Sequence, residues 1–352
     1  MTIYAALRAS ERWERLTHEP EPTYTEHVFS GAQGVPIFGK FAQPLSRNRP
    51  TPKGTIVATY GITGSLDDQW FLKILGRKAI ARDYAIVLFD WRAHGKTAKL
   101  SPVLTSDGLF EGDDFVQIAK QAKALGCPPP YWFMGYSLGG QLALWGIKSG
   151  QSDPEFADDF AGGAVICPSL DSERSLTALV STPIGRYLER AITKQLRKLA
   201  NELAGYHPGE FDPAAIARAR SIWTFDEELV IGRLGFATVP EYYAASSALA
   251  ILPNLTKPTQ ILYATDDPLF DAAIVPELQA IAQGNAAIDL WLTAQGGHVG
   301  YLSNKACQHA WGDRDPWWAW NRILDECDLN LKSLKVSSSA TDLTITRTVF
   351  TR

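Results

Sequence analysis

Ser137 stands in the run Phe133-Met134-Gly135-Tyr136-Ser137-Leu138-Gly139-Gly140, a G-x-S-x-G pattern with apolar residues before it and a helical pattern after it. Glycines at these places relieve crowding on a strained strand-to-helix turn that lifts the hydroxyl clear of the backbone. A serine hydroxyl is a weak nucleophile and needs a base, and the base needs an acid to orient it. On such a turn the partners follow in the order Ser, acid, His. Thr265-Asp266-Asp267-Pro268 and then Gly296-Gly297-His298-Val299-Gly300 supply them in that order. The expected roles are Ser137 as nucleophile, His298 as general base and Asp267 as orienting carboxylate. Asp267 is favoured because the acid commonly opens the turn just past a strand. Asp266 is then a helper or a solvent-facing neighbour.

Other histidines fit less well. His94 follows a strand end and could line a pocket, but it precedes the serine. His18, His27 and His207 lie in polar surroundings, as surface residues do, and His309 falls in a late helix. An oxyanion needs two aimed N–H donors. Leu138, directly after the serine, and Ile62, in the loop Tyr60-Gly61-Ile62-Thr63-Gly64, are the expected pair. Tyr60, Gly61, Tyr136 and Val299 flank these groups and are expected to contact substrate. The chemistry would be acyl transfer.

Such groups need a scaffold that brings distant loops to one edge. Tyr24–Ser30, a turn at Gly31–Gly34 and Val35–Ala42 suggest a hairpin, and Ser46–Lys53 a polar loop. Short apolar runs then alternate with helical patterns. The runs are Thr55–Thr59, Tyr84–Phe89, Tyr131–Met134, Gly163–Cys167, Ile261–Tyr263 and Ile288–Leu292. The helical patterns are Asp67–Arg82, Glu111–Leu125, Leu138–Lys148 and Ala272–Ala282. That rhythm predicts an α/β fold, a mostly parallel sheet with helices on both faces. It breaks once, between Ser169 and Pro258. There Ile184, Leu188, Ile192, Leu196, Leu199 and Leu203 recur at helical spacing. The expected organisation is a core over 1–170 and 255–336, with an extension and hairpin in 1–50. A helical cap is inserted over 171–254, and a peripheral tail covers 337–352.

Of the 352 residues 45% are apolar and 20% charged, enough for a large core. A net charge of −4 gives no reason to expect nucleic acid. Cys127, Cys167, Cys307 and Cys327 are widely spaced and expected to be free, buried thiols in a reducing, cytoplasmic setting. The N-terminus lacks a signal-peptide core, and no run is apolar enough to span a membrane. No metal-ligand spacing and no phosphate loop occurs, so neither metal nor cofactor is expected. Arg186, Arg190, Lys194, Arg197 and Lys198 form a basic helix face, either solvated or making weak peripheral contact with anionic lipid. Trp317, Trp318 and Trp320 either pack a C-terminal helix or form an interfacial patch.

Together these motifs resemble the YheT-type hydrolases of the α/β-hydrolase superfamily, from about Val57 to Trp320. Besides the serine, acid and base segments, the resemblance rests on Asp107-Gly108-Leu109-Phe110-Glu111-Gly112-Asp113. It also rests on Phe225-Asp226, Gly235-Phe236 and Glu241-Tyr242-Tyr243. Tyr60-Gly61 stands where that family usually has His-Gly, and Gln141 where it often has Asn. The resemblance implies the α/β-hydrolase fold and a serine esterase acting on small-molecule esters, with medium- to long-chain or lipid-like acyl groups. An acyltransferase or thioesterase with the same triad, or a non-catalytic binding protein of this fold, are the alternatives.

Overall fold

A computed structural model describes residues 9–44 and 51–337. Most of the loop expected at Ser46–Lys53 and of the tail expected over 337–352 lies outside them.

The strands are β1 (Thr25–Ser30), β2 (Pro36–Ala42), β3 (Thr55–Thr59), β4 (Ala85–Phe89), β5 (Tyr131–Tyr136), β6 (Phe160–Ile166), β7 (Thr259–Ala264) and β8 (Ile288–Thr293). They form one sheet in the order β1-β2-β4-β3-β5-β6-β7-β8. The β1–β2 hairpin pairs antiparallel within itself and against β4, and every other pairing is parallel. Every residue of β3 to β7 is buried, as expected for strands covered on both faces. β3 lies between β4 and β5, so the chain passes from β3 to β4 on one side and then crosses to β5 on the other. The crevice beyond the C-terminal ends of β3 and β5 is where such sheets hold ligands.

The helices α1 (Trp70–Ala81), α2 (Glu111–Ala124) and α3 (Leu138–Ser152) connect the first parallel strands. Between β6 and β7 the chain runs only through helices. These are α4 (Ser172–Ser181), α5 (Pro183–Tyr206), α6 (Pro213–Arg218), short turns over 222–234, and α7 (Val239–Ser246). Their starts are marked locally. The side chains of Asp171, Thr182, Asp212 and Thr238 accept from first-turn N–H groups of α4, α5, α6 and α7. Ser221 and Thr224 form a capping box at the start of the 222–225 turn. The block has its own apolar cluster, including Leu196, Leu203, Phe211, Ile216 and Tyr242. It meets Ala93, Ala98 and Leu104 of the β4–α2 connection.

α8 (Ile274–Gly284), α9 (Lys305–Trp311) and α10 (Trp318–Ser337) complete the chain. Of the three tryptophans expected either to pack a C-terminal helix or to form a patch, Trp317 and Trp320 are buried against Trp70 and Phe71, and the half-buried Trp318 packs on Trp291 and Tyr301. No helix among the described residues is long and apolar enough to cross a membrane.

Candidate functional site

Ser137 follows β5 and opens α3 with φ 55°, a left-handed conformation that costs energy for a non-glycine residue. The neighbouring glycines make the turn possible. A Cβ on Gly135 would lie 2.0 Å from the Gly139 carbonyl oxygen, and one on Gly139 would lie 2.2 Å from that of Tyr60. The loop after β3 presses on the same turn, because a Cβ on Gly61 would come within 2.9 Å of Ser137 Cβ.

The loops after β7 and β8 bring the other two groups. His298 Nε2 is 2.9 Å from Ser137 Oγ, and His298 Nδ1 is 2.9 Å from Asp267 Oδ2. A carboxylate only accepts, so Nδ1 carries the proton and Nε2 is free to accept from the serine. Asp267 Oδ1 accepts the Leu269 N–H at 2.9 Å, which fixes the carboxylate plane. The Phe270 ring stands edge-on to the imidazole at 5.1 Å. Asp266 turns away from the imidazole and accepts the N–H groups of Gly296 and Gly297 at 3.0 and 2.7 Å. The two adjacent aspartates therefore hold the side chain and the backbone of the His298 loop respectively.

A cavity of about 920 Å³, counting the space at its open mouth, begins at Ser137. Ile62 and Leu138 flank the serine. Leu138 begins α3, where N–H groups lack intrahelical partners. Leu176 and Leu179 of α4 and Ile192, Leu196 and Leu199 of α5 supply an apolar wall. Tyr60, Gly61, Tyr136 and Val299, expected to contact substrate, do not line it. The Tyr60 hydroxyl is drawn inward to Asp90 at 2.6 Å, and that of Tyr136 to Gln69. Val299 is buried, and Gly61 spends its open face on Ser137.

His94 does line the cavity. Its Nδ1–H donates to the Arg92 carbonyl at 2.9 Å and its ring stacks on Trp91. Burial pushes it down to about 4, so it is neutral at pH 7, with a bare Nε2. Of the histidines taken as surface residues, His18 is exposed, His27 is half-buried against Phe29, and His207 is half-buried and bonds the Ala98 carbonyl through Nε2.

Two features escaped the sequence. Asp107 and Asp226 both line the cavity, although nothing in either segment signals that they meet. Cys167, just past β6, sits behind the triad, with Sγ 3.3 Å from the Tyr301 hydroxyl. Ligand atoms of Cys167, Asp267 and His298 lie within 4.8 Å of one another. Burial pushes the thiol above its ordinary value, which favours the protonated form. All four cysteines are free. Cys307 differs from the expectation in being only partly buried.

A family model described as "Alpha/beta hydrolase family" matches residues 61–307. A Synechocystis protein named "Putative esterase slr0264" is 52% identical over 339 residues, 93% of this chain and 91% of that protein. The Escherichia coli protein named "Putative esterase YheT" is 31% identical over 174 residues, 48% of each chain. The solved Pyrococcus furiosus esterase Pf2001 superposes with a TM-score of 0.53 at 15% identity, over 86% of this chain and 91% of that one, a likeness of fold. The chain belongs to the alpha/beta hydrolase family.

Proposed function

We propose that this protein is a carboxylic ester hydrolase working through Ser137, His298 and Asp267. The observation that carries the reading is the continuous relay Ser137 Oγ–His298 Nε2 and His298 Nδ1–Asp267 Oδ2, each link 2.9 Å. Relatives named as esterases support the same reaction class.

Ser137 Oγ attacks the ester carbonyl carbon as His298 Nε2 takes its proton. The carbonyl electron pair moves onto oxygen, held by the N–H groups of Leu138 and Ile62. The tetrahedral intermediate collapses, the C–O bond to the alcohol breaks, and His298 returns the proton to the leaving oxygen. Water, deprotonated by His298, then attacks the acyl-enzyme, and the carboxylic acid leaves as Ser137 is reprotonated. Asp267 keeps the imidazole in the productive tautomer and stabilises its charged form throughout.

The block over 171–254 serves as a cap on a core made of 1–170 and 255–336. Its leucine and isoleucine wall suits a medium to long acyl chain. The free thiols accord with a reducing, cytoplasmic setting.

The test is initial rates on p-nitrophenyl esters from acetate to palmitate, with Ser137→Ala alongside. Turnover lost in the variant and peaking beyond hexanoate is expected. Turnover retained by Ser137→Ala overturns the mechanism, and acetate turned over better than decanoate overturns the chain-length assignment.

A further inference from the structure

α5 has two faces with different business. Ile192, Leu196 and Leu199 point inward and line the cavity. The outer face carries Arg186, Tyr187, Arg190, Lys194, Arg197 and Lys198, all exposed. Ile184 is 67% and Tyr187 72% exposed, and Val180 at the end of α4 is 42% exposed, so three large apolar side chains crowd one corner. Single exposed apolar residues are ordinary, but three at one helix junction beside a cavity are not scattered.

Along the first five turns of α5 the exposed charges are all positive. The only acid over residues 183–201 is Glu189, which is buried and engaged by Thr193 and the Ile222 N–H. Among the described residues, Arg190, Lys194 and Arg197 have no carboxylate partner. Arg186 bonds only the carbonyls of Val180 and Ser181. Lys198 alone meets an acid, Glu202 at 3.6 Å. A chain of net charge −4 thus concentrates unpaired cations on one exposed helix face.

We infer that the outer face of α5, with the α4–α5 corner, docks on an anionic lipid bilayer. Ile184, Tyr187 and Val180 enter the interface, and Arg186, Arg190, Lys194 and Arg197 meet the head groups. A second copy of the chain on this face would set cations against cations. A purely polyanionic partner would leave the apolar corner in water. Because the inner face of the same helix lines the cavity, only about one helix diameter, roughly 10 Å, separates the bilayer surface from the acyl site. The inference rests on the esterase reading and narrows its substrate to esters drawn from a membrane.

The test uses Ser137→Ala protein, so that vesicle binding is measured without hydrolysis and independently of whether the esterase reading holds. It is co-sedimented with phosphatidylcholine vesicles, pure or containing one third phosphatidylglycerol. Binding to the anionic vesicles is expected, with little to the neutral ones and loss in high salt. Arg190→Glu/Lys194→Glu and Ile184→Ser/Tyr187→Ser should each lower the partition coefficient at least about tenfold. In a Ser137 background the same pairs should leave hydrolysis of a water-soluble ester unchanged, which shows that they fold. No binding to anionic vesicles, equal binding to neutral ones, or binding retained by both double variants overturns the inference. Self-association that vanishes in the variants while vesicles stay unbound would assign the face to a second copy instead.

Discussion

Replacing Asp107 with Asn should stabilise the protein, and the gain should grow with pH. Asp107 belongs to the segment before α2 and Asp226 to the turns of the helical block, and both are more than nine-tenths buried. Burial, and then the charge of Glu111, push Asp107 up to about 7. Burial and the charge of Asp107 push Asp226 well above its ordinary value. Tyr243 donates to Asp226, and the fully buried Tyr242 packs beside Tyr243, facing the same acids. No cation is among the groups that act on either carboxyl.

The native state therefore favours protonated Asp107, whereas the unfolded chain ionises it near 3.8. With the folded value raised, its stabilising contribution is complete below about 3.8 and is lost as pH rises through about 7. At about 1.4 kcal/mol per pH unit the loss is about 2 kcal/mol at pH 5 and about 4 kcal/mol at pH 9. Asn keeps the shape, cannot ionise, and tolerates the φ of 50° at this position. The Thr105 hydroxyl can still accept the backbone N–H of residue 107. Urea midpoints read by tryptophan fluorescence at pH 5, 7 and 9 should show the Asp107→Asn gain rising and then levelling above pH 7. The Asp226→Asn gain should also rise with pH, since that carboxyl is raised by burial too. A gain independent of pH, or a loss at pH 9, would show that Asp107 carries a compensated charge and would refute the reasoning.

Asp266→Ala frees two N–H groups of the His298 loop, so kcat should fall about tenfold with KM nearly unchanged. Asp267→Asn should cost about a thousandfold or more in kcat, because the imidazole loses its tautomer control. Gly139→Ala drives a methyl into the Tyr60 carbonyl, and loss of at least about 2 kcal/mol of stability, seen in the melting temperature, is expected together with loss of activity. Leu176→Trp narrows the cavity, so the decanoate-to-acetate rate ratio on p-nitrophenyl esters should drop about tenfold. Iodoacetamide on the native protein should label Cys307 alone, as peptide mass mapping would show, because Cys127, Cys167 and Cys327 are buried.

What could be seen in advance divides by how local the physical requirement is. The G-x-S-x-G turn is a backbone demand met within five residues, and the strand, turn and helix it implies are present. The parallel sheet was legible for a similar reason, since strands buried on both faces must be apolar along their whole length. β5 runs two residues beyond Met134 because Gly135 and Tyr136 still pair with Val165 and Ile166, and no property of Gly135 itself announces that. Tyr60 shows the limit more sharply. An aromatic residue at the mouth of β3 looks ready for substrate, yet Asp90, at the end of β4, takes its hydroxyl and turns the ring inward. Asp266 and Asp267 are alike in type and nearly in place, and only the turn geometry sends one to the imidazole and the other to the loop backbone. Asp107 and Asp226 stand in segments that carry the family resemblance, yet nothing there signals their titration, because it comes first from burial where two separate parts of the chain pack together. That is why their titration tests the packing of the helical block, whereas the serine turn tests only its own neighbourhood.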